Sequence, residues 1–172
     1  MILEYDLAVI GAGSGGLTAA SFASRLGAKV ALIEKARIGG DCTWTGCVPS
    51  KALLKVAKIA HEVRTASLYG ISSAAPLAHM SKVRDYVRSA IERVYAGETP
   101  EELKKRGIDL VMGAARFLGE KTVAVGGDTV RAKTFLRSPQ APAPHLPRWM
   151  GSIKYRISRM NGSLRTINSP SG

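Results

Sequence analysis

The spacing of hydrophobic and polar positions changes several times along the chain, and each change marks an element. Residues 5–10 (YDLAVI) form a short, nearly all-apolar run, the pattern of a strand buried on both faces of a parallel sheet. Residues 17–26 are an Ala/Ser/Leu stretch of helical character that ends at Gly27, and residues 29–34 (KVALIE) return to the strand pattern. A strand, a glycine turn, a helix and a second strand within about thirty residues make a βαβ crossover.

Helical spacing resumes over residues 47–64, through Leu53, Leu54, Val56, Ala57, Ile59, Ala60 and Val63, with Pro49 near the first turn. Residues 70–78 read as a loop, and residues 80–95 as a helix with Val83, Val87, Ile91 and Val94 on one face. Thr99-Pro100-Glu101-Glu102 opens a short helix that Gly107 closes. Four strand-like runs follow at 108–112, 115–118, 122–125 and 129–135, with Gly126-Gly127-Asp128 as a hairpin turn. No internal repeat is present, and the class is α/β.

The first crossover carries the first candidate chemistry. Gly11, Gly13 and Gly16 fit G-x-G-x-x-G, with Ser14 and Gly15 inside it. The first glycine permits a tight turn, the second a close approach of backbone to a pyrophosphate, the third close packing of helix on strand. An anion then sits at the helix N-terminus, among free N–H groups. Glu34, followed by Lys35, ends the second strand, where an acid binds a ribose hydroxyl in dinucleotide sites.

Charge changes the picture less than its size implies. The net charge of +12 would point to nucleic acid or an anionic membrane. Residues 1–136 hold 19 Lys and Arg against all 13 acids, whereas residues 137–172 hold six basic residues and no acid. Half of the excess thus lies in the last 36 residues, and no basic stripe interleaves with aromatics, so no nucleic-acid partner is expected. No run approaches a membrane span, and Glu4 and Asp6 stand where a secretory signal would carry basic residues. The chain reads as soluble and cytoplasmic, with no membrane partner, and in that reducing compartment a lone close cysteine pair is more often redox-active or metal-binding than structural.

Both cysteines, Cys42 and Cys47, lie in GGDCTWTGCVPSK. A zinc site usually needs four ligands, and His61, His79 and His145 lack a ligand pattern, so no metal is expected. A buried inert pair of thiols is one alternative; a redox disulfide fits better, because Cys47 would stand at a helix N-terminus, which raises its thiolate fraction. Lys51 would share that helix face.

GGDCTWTGCVPSKALL, together with GAGSGG and Glu34, closely resembles the flavin disulfide reductases, the group of dihydrolipoamide dehydrogenase, glutathione reductase and mercuric reductase, with the wording nearest the mercuric-reductase-like branch. The resemblance covers roughly residues 1–136. It implies a Rossmann-like FAD-binding domain, with a parallel sheet and a small antiparallel β segment. By the same resemblance Cys47 would lie against the flavin and Cys42 would meet the substrate. Lys51 would sit near the reactive flavin nitrogen, and Gly39, Gly40 and Asp41 would border the pyrophosphate and ribityl chain. Gly113-Ala114-Ala115 is similar to the adenine-side segment, with Ala115 a backbone contact. Electrons would pass from NAD(P)H through FAD and the Cys42–Cys47 disulfide to a disulfide or metal-ion substrate.

After Leu136 the texture changes: the remaining stretch holds five of the eight prolines and no sustained period. The expected domains are an incomplete FAD-binding domain over 1–136 and an irregular, basic, Pro-rich tail over 137–172. With permitted synonymous codons, another frame of the stretch from Arg137 to Pro144 reads Ile-Thr-Thr-Gly-Ala-Arg-Pro, similar to the family's closing motif. Trp149-Met150-Gly151 in that frame ends in Asp-Gly, and the expectation is therefore a frameshift from about residue 137. No second glycine fingerprint and no dimerisation domain with its His–Glu pair follow, so the sequence reads as an impaired front end; its family is homodimeric, but a homodimer is not expected of this stretch. Whether it is an enzyme stays open against a non-catalytic FAD-binding or thiol redox module, or a non-functional fragment. Loss of the sheet's closing segment would leave the parallel strands without covering layers.

Overall fold

The computed structural model describes residues 2–138. The elements run β1 (Ile2–Ile10), α1 (Ser14–Arg25), β2 (Val30–Glu34), α2 (Gly40–Trp44), α3 (Cys47–Thr65), a 3-10 turn (Ala66–Tyr69), α4 (Met80–Tyr95), α5 (Pro100–Lys105), β3 (Ile108–Met112), β4 (Ala115–Gly119), β5 (Thr122–Val125) and β6 (Asp128–Arg137). Apart from Arg137 and Ser138, the expected irregular tail, its frameshift and His145 lie outside the described residues.

The apolar runs form strands because they are buried on both sides. Along β2, Val30 and Leu32 alternate with Ala31 and Ile33, and all four are buried. Val30 and Leu32 join Val9, Leu17, Ala20, Leu103 and Ile108 on the face covered by α1 and α5. Ala31 and Ile33 join Ala8, Ile10, Val123, Val125, Val130 and Ala132 on the other. The short α5 is set by its ends: the Thr99 hydroxyl accepts the N–H of Glu102 at 3.3 Å, Pro100 needs no donor there, and two acids stand in the first turn.

One six-stranded sheet, in the order β3-β2-β1-β6-β5-β4, holds every strand among the described residues. The four strands β3, β2, β1 and β6 are parallel; β6-β5-β4 is antiparallel. β6 does both jobs, pairing with β1 from Ile2↔Thr129 to Ile10↔Arg137 and with β5 from Thr122↔Arg131 to Val125↔Asp128. The expectation of bare parallel strands is thereby corrected. β6 lines the open edge of β1 along its length, and its hairpin partner helps to cover the face opposite α1 and α5. Period-two patterning could not reveal this, because it does not say which strand edge is taken.

The long helices differ from their sequence pattern in another respect. α3 buries only Ala52 and α4 buries no residue fully, while Leu53 and Leu54 stay exposed. These helices pack on one another rather than on the sheet, so a broad apolar stripe meets a narrow seam.

Candidate functional site

The site is built where β1 ends. Gly11 turns the chain at φ +99°, a conformation that favours glycine, and Gly13 stands at the N-cap of α1. A Cβ on Gly16 would lie 1.8 Å from the carbonyl oxygen of Gly11 and 3.4 Å from Cγ1 of Val9, so only a hydrogen fits. Ser14 and Gly15 are exposed in the first turn. That turn holds no acidic residue and no capping side chain among the described residues, which leaves its N–H groups for an outside acceptor.

Glu34 reaches the same place from the end of β2. Its Oε2 accepts the N–H of Ala12 at 2.7 Å and its Oε1 that of Ala36 at 2.9 Å, which fixes the carboxylate against the glycine turn; Lys35 beside it is exposed. The Gly113 N–H donates to the Glu34 carbonyl at 2.8 Å, so residues 113–115 come to that edge. Ala115 itself is half-buried in β4, opposite Val125 and against the core.

A second glycine pair closes on the first. The Gly39 N–H donates to the Ala12 carbonyl at 2.8 Å, Gly39 bridges Gly13, and a Cβ on Gly40 would lie 3.1 Å from the Gly13 Cα. The chain then enters α2 through Gly40 and the exposed Asp41, and reaches Cys42. The carbonyl of Asp41 accepts the N–H groups of Thr45 and Gly46, at 3.0 and 2.6 Å. A Cβ on Gly46 would meet that carbonyl oxygen at 2.9 Å; its absence lets α2 fold back tightly onto α3.

Cys47 opens α3, as its sequence position predicts, and is exposed, while Cys42 is half-buried. Both are free thiols, and they interact. The hydrogen bond with Cys47, then burial, pushes the Cys42 thiol above its ordinary value, and the positive charge of Lys51 opposes the rise. Lys51, exposed one turn along α3, therefore acts on Cys42 through its field.

Sequence reasoning missed the supports of α2. The buried Thr43 hydroxyl donates to Oε2 of Glu98 at 3.1 Å. The Trp44 indole N–H donates to the Ile38 carbonyl at 2.7 Å, and its ring centroid lies 4.1 Å from the Arg37 guanidinium and 5.0 Å from the Tyr95 ring centroid. Thr43 and Glu98 are 55 residues apart, and no local pattern announces such a contact. Burial holds the Glu98 carboxyl above its ordinary 4.5, against the bond from Thr43 and the charge of Arg106. The neutral acid is thus favoured by folding, and the stability it contributes is present below 4.5 and lost as pH rises through the elevated value. Glu98→Gln, neutral at every pH, should melt higher than the parent near neutral pH, with the difference vanishing toward acid. Melting curves recorded across that range, showing a gap that does not change with pH, would exclude this account.

These surroundings fit a dinucleotide pyrophosphate. Two glycine segments leave backbone where side chains would stand, and among the described residues the α1 donors have no side-chain cap and the buried Ser138 hydroxyl has no partner. Among the described residues no three His, Cys, Asp or Glu side chains gather as metal ligands, and no helix is long and apolar enough to cross a membrane.

Comparison with known proteins adds independent findings. The family described as pyridine nucleotide-disulphide oxidoreductase matches residues 5–138. The chain is 38% identical over 119 residues to a dihydrolipoyl dehydrogenase of Bacillus subtilis (strain 168), covering 69% of this chain and 25% of that protein. It is 31% identical over 166 residues to a mercuric reductase of Staphylococcus aureus, covering 95% and 30%. A dihydrolipoyl dehydrogenase of Thermus scotoductus (strain ATCC 700910 / SA-01) is 37% identical over 132 residues, covering 77% and 28%. The chain thus spans 25% to 30% of the length of these curated relatives.

Proposed function

The chain belongs to the pyridine nucleotide-disulphide oxidoreductases, an FAD-dependent family, and from that premise we propose that it binds FAD at the glycine turn and exchanges electrons through Cys42 and Cys47. The observation that carries this reading is the contact of Gly39 and Gly40 with Ala12 and Gly13. One continuous segment closes the phosphate cradle and, within two residues, presents Cys42.

In this reading the first turn of α1, with Gly13, Ser14 and Gly15, takes the pyrophosphate, and Glu34 takes the ribose with Lys35 beside it. Gly11 and Gly16 allow the turn. Gly40 and Asp41 border the chain between phosphate and flavin, and Ala115 lies on the adenine side. The chemistry that FAD supplies, when bound, is two-electron transfer between a nicotinamide and a disulfide. Cys47, exposed at the start of α3, faces the cofactor; Cys42 forms the mixed disulfide with the substrate, and Lys51 holds positive charge beside the pair. The donor is NAD(P)H and the acceptor a small disulfide or a thiol-seeking metal ion; the homodimer of the full-length family is not part of the reading for this stretch of chain. Residues 1–136 form the FAD-binding unit.

The test is to add FAD to the purified full chain and follow flavin fluorescence, then to titrate anaerobically with NADH or NADPH and count thiols. Bound, quenched flavin and two thiols gained per chain support the reading. Bound flavin that no nicotinamide reduces, with a disulfide that dithiothreitol opens, assigns instead a non-catalytic FAD-binding thiol module. Absence of flavin binding removes the proposal.

A further inference from the structure

Ser138 belongs to no motif, yet it lies beside the glycine turn. Its N–H donates to the Ile10 carbonyl at 2.9 Å, which extends the β1–β6 ladder one residue past Arg137. It therefore lies at the carboxyl ends of two adjacent parallel strands. The connection from β1 departs through α1 to β2 on one side, while β6 flanks β1 on the other. Open α/β sheets bind ligands in the crevice at that kind of divergence.

The side chain is unusual for its surroundings. Ser138 is 1% exposed, and its hydroxyl is a buried side-chain atom with no hydrogen-bond partner among the described residues. Buried hydroxyls are normally paired, since desolvation is otherwise uncompensated. The Oγ lies 3.8 Å from where a Cβ on Gly15 would stand, so it faces the first turn of α1. The N–H donors there have no side-chain cap, and no acid lies in that turn among the described residues. An unpaired hydroxyl beside uncapped N–H groups makes a set of donors that lacks an acceptor.

We infer that Ser138 is a further ligand-binding residue, whose hydroxyl donates to the pyrophosphate of the dinucleotide held at the N-terminus of α1. The inference rests on the FAD reading above and deepens it. It also assigns a role to the end of β6, which the glycine fingerprint leaves out. The ligand would supply the missing acceptor, and a bond to a charged oxygen is the stronger kind.

The experiment uses the full chain, its Ser138→Ala variant, and Gly15→Ala. Each is unfolded in urea without ligand, titrated with FAD, and unfolded again with inorganic pyrophosphate. Ser138→Ala should unfold at the same or a higher urea concentration than the parent, because an unpaired hydroxyl is removed. Its affinity for FAD should fall about tenfold or more, and pyrophosphate should protect the parent from urea more than the variant. Gly15→Ala places a methyl in ordinary contact with the hydroxyl, and should weaken FAD binding without loss of fold. Equal FAD affinity in parent and Ser138→Ala overturns the inference, as does a variant less stable without ligand, which would mark Ser138 as packing alone. If the parent binds no FAD but pyrophosphate protects it in a Ser138-dependent way, the FAD reading fails and the anion contact stands. If neither binds, both fail.

Discussion

Gly16→Ala is expected to destabilise the chain by about 3 kcal/mol or more, a large part of a typical domain's stability of roughly 5–15 kcal/mol. The added methyl would lie 1.8 Å from the carbonyl oxygen of Gly11 and 3.0 Å from its carbon, and both belong to backbone rather than to a side chain that can swing away. Relief requires α1 to lift from β1, which opens the contact of Leu17 and Ala20 with Val9. The same movement pulls the first turn of α1 away from Gly39 and Gly40, so FAD binding should be lost with the stability. Gly15→Ala serves as the control, since its Cβ meets nothing closer than 3.8 Å and alanine favours a helix. Urea unfolding of the two variants decides the matter. A Gly16→Ala midpoint within about 0.5 kcal/mol of the parent would show that this helix is not held by close backbone packing.

Replacement of either cysteine by serine is expected to reduce disulfide exchange by on the order of 10^3-fold or more, since neither remaining thiol can complete a two-electron cycle alone. The two replacements should differ in what they leave behind. In the reduced parent, the hydrogen bond with Cys47 is the first cause that holds the Cys42 thiol above its ordinary value, with burial second. At a given pH Cys42 therefore carries less thiolate than it would alone. Cys47→Ala removes the first cause and leaves Lys51, whose charge favours the thiolate. Iodoacetamide should then alkylate Cys42 faster in Cys47→Ala than in the reduced parent, and Lys51→Met should slow it again. Alkylation of Cys42 at the same rate with and without Cys47 would mean that the pair is not coupled, and would count against a shared redox role. The reaction is read by mass spectrometry of the labelled peptide.

Much of this molecule is legible in its sequence. The all-apolar pattern of β2, the helical period through Met80–Tyr95 and the alternation in Thr122–Val125 were read at or near their observed limits, because each reports which side of an element is shielded from water. The glycine fingerprint and the cysteine spacing were equally readable, since a glycine without room for a Cβ and two thiols that must meet are local requirements. Helix α2 was not foreseen: five residues that include Gly40 and two β-branched or aromatic neighbours carry no periodic signal. Its position comes from Glu98, Arg37 and Tyr95, all distant in sequence from Cys42 or outside its motif.

The sequence by itself determined the α/β class, the crossover that makes the phosphate turn, and the family to which the cysteine motif belongs. Tertiary structure alone decided that the antiparallel strands share β6 with the parallel sheet, that α3 and α4 leave Leu53 and Leu54 in solvent, and that Ser138 is buried beside Gly15 and unpaired among the described residues. The physical reason is common to all three. A residue's period records how much of its own element is covered, whereas which element does the covering depends on strand edges and closures between segments far apart in the chain.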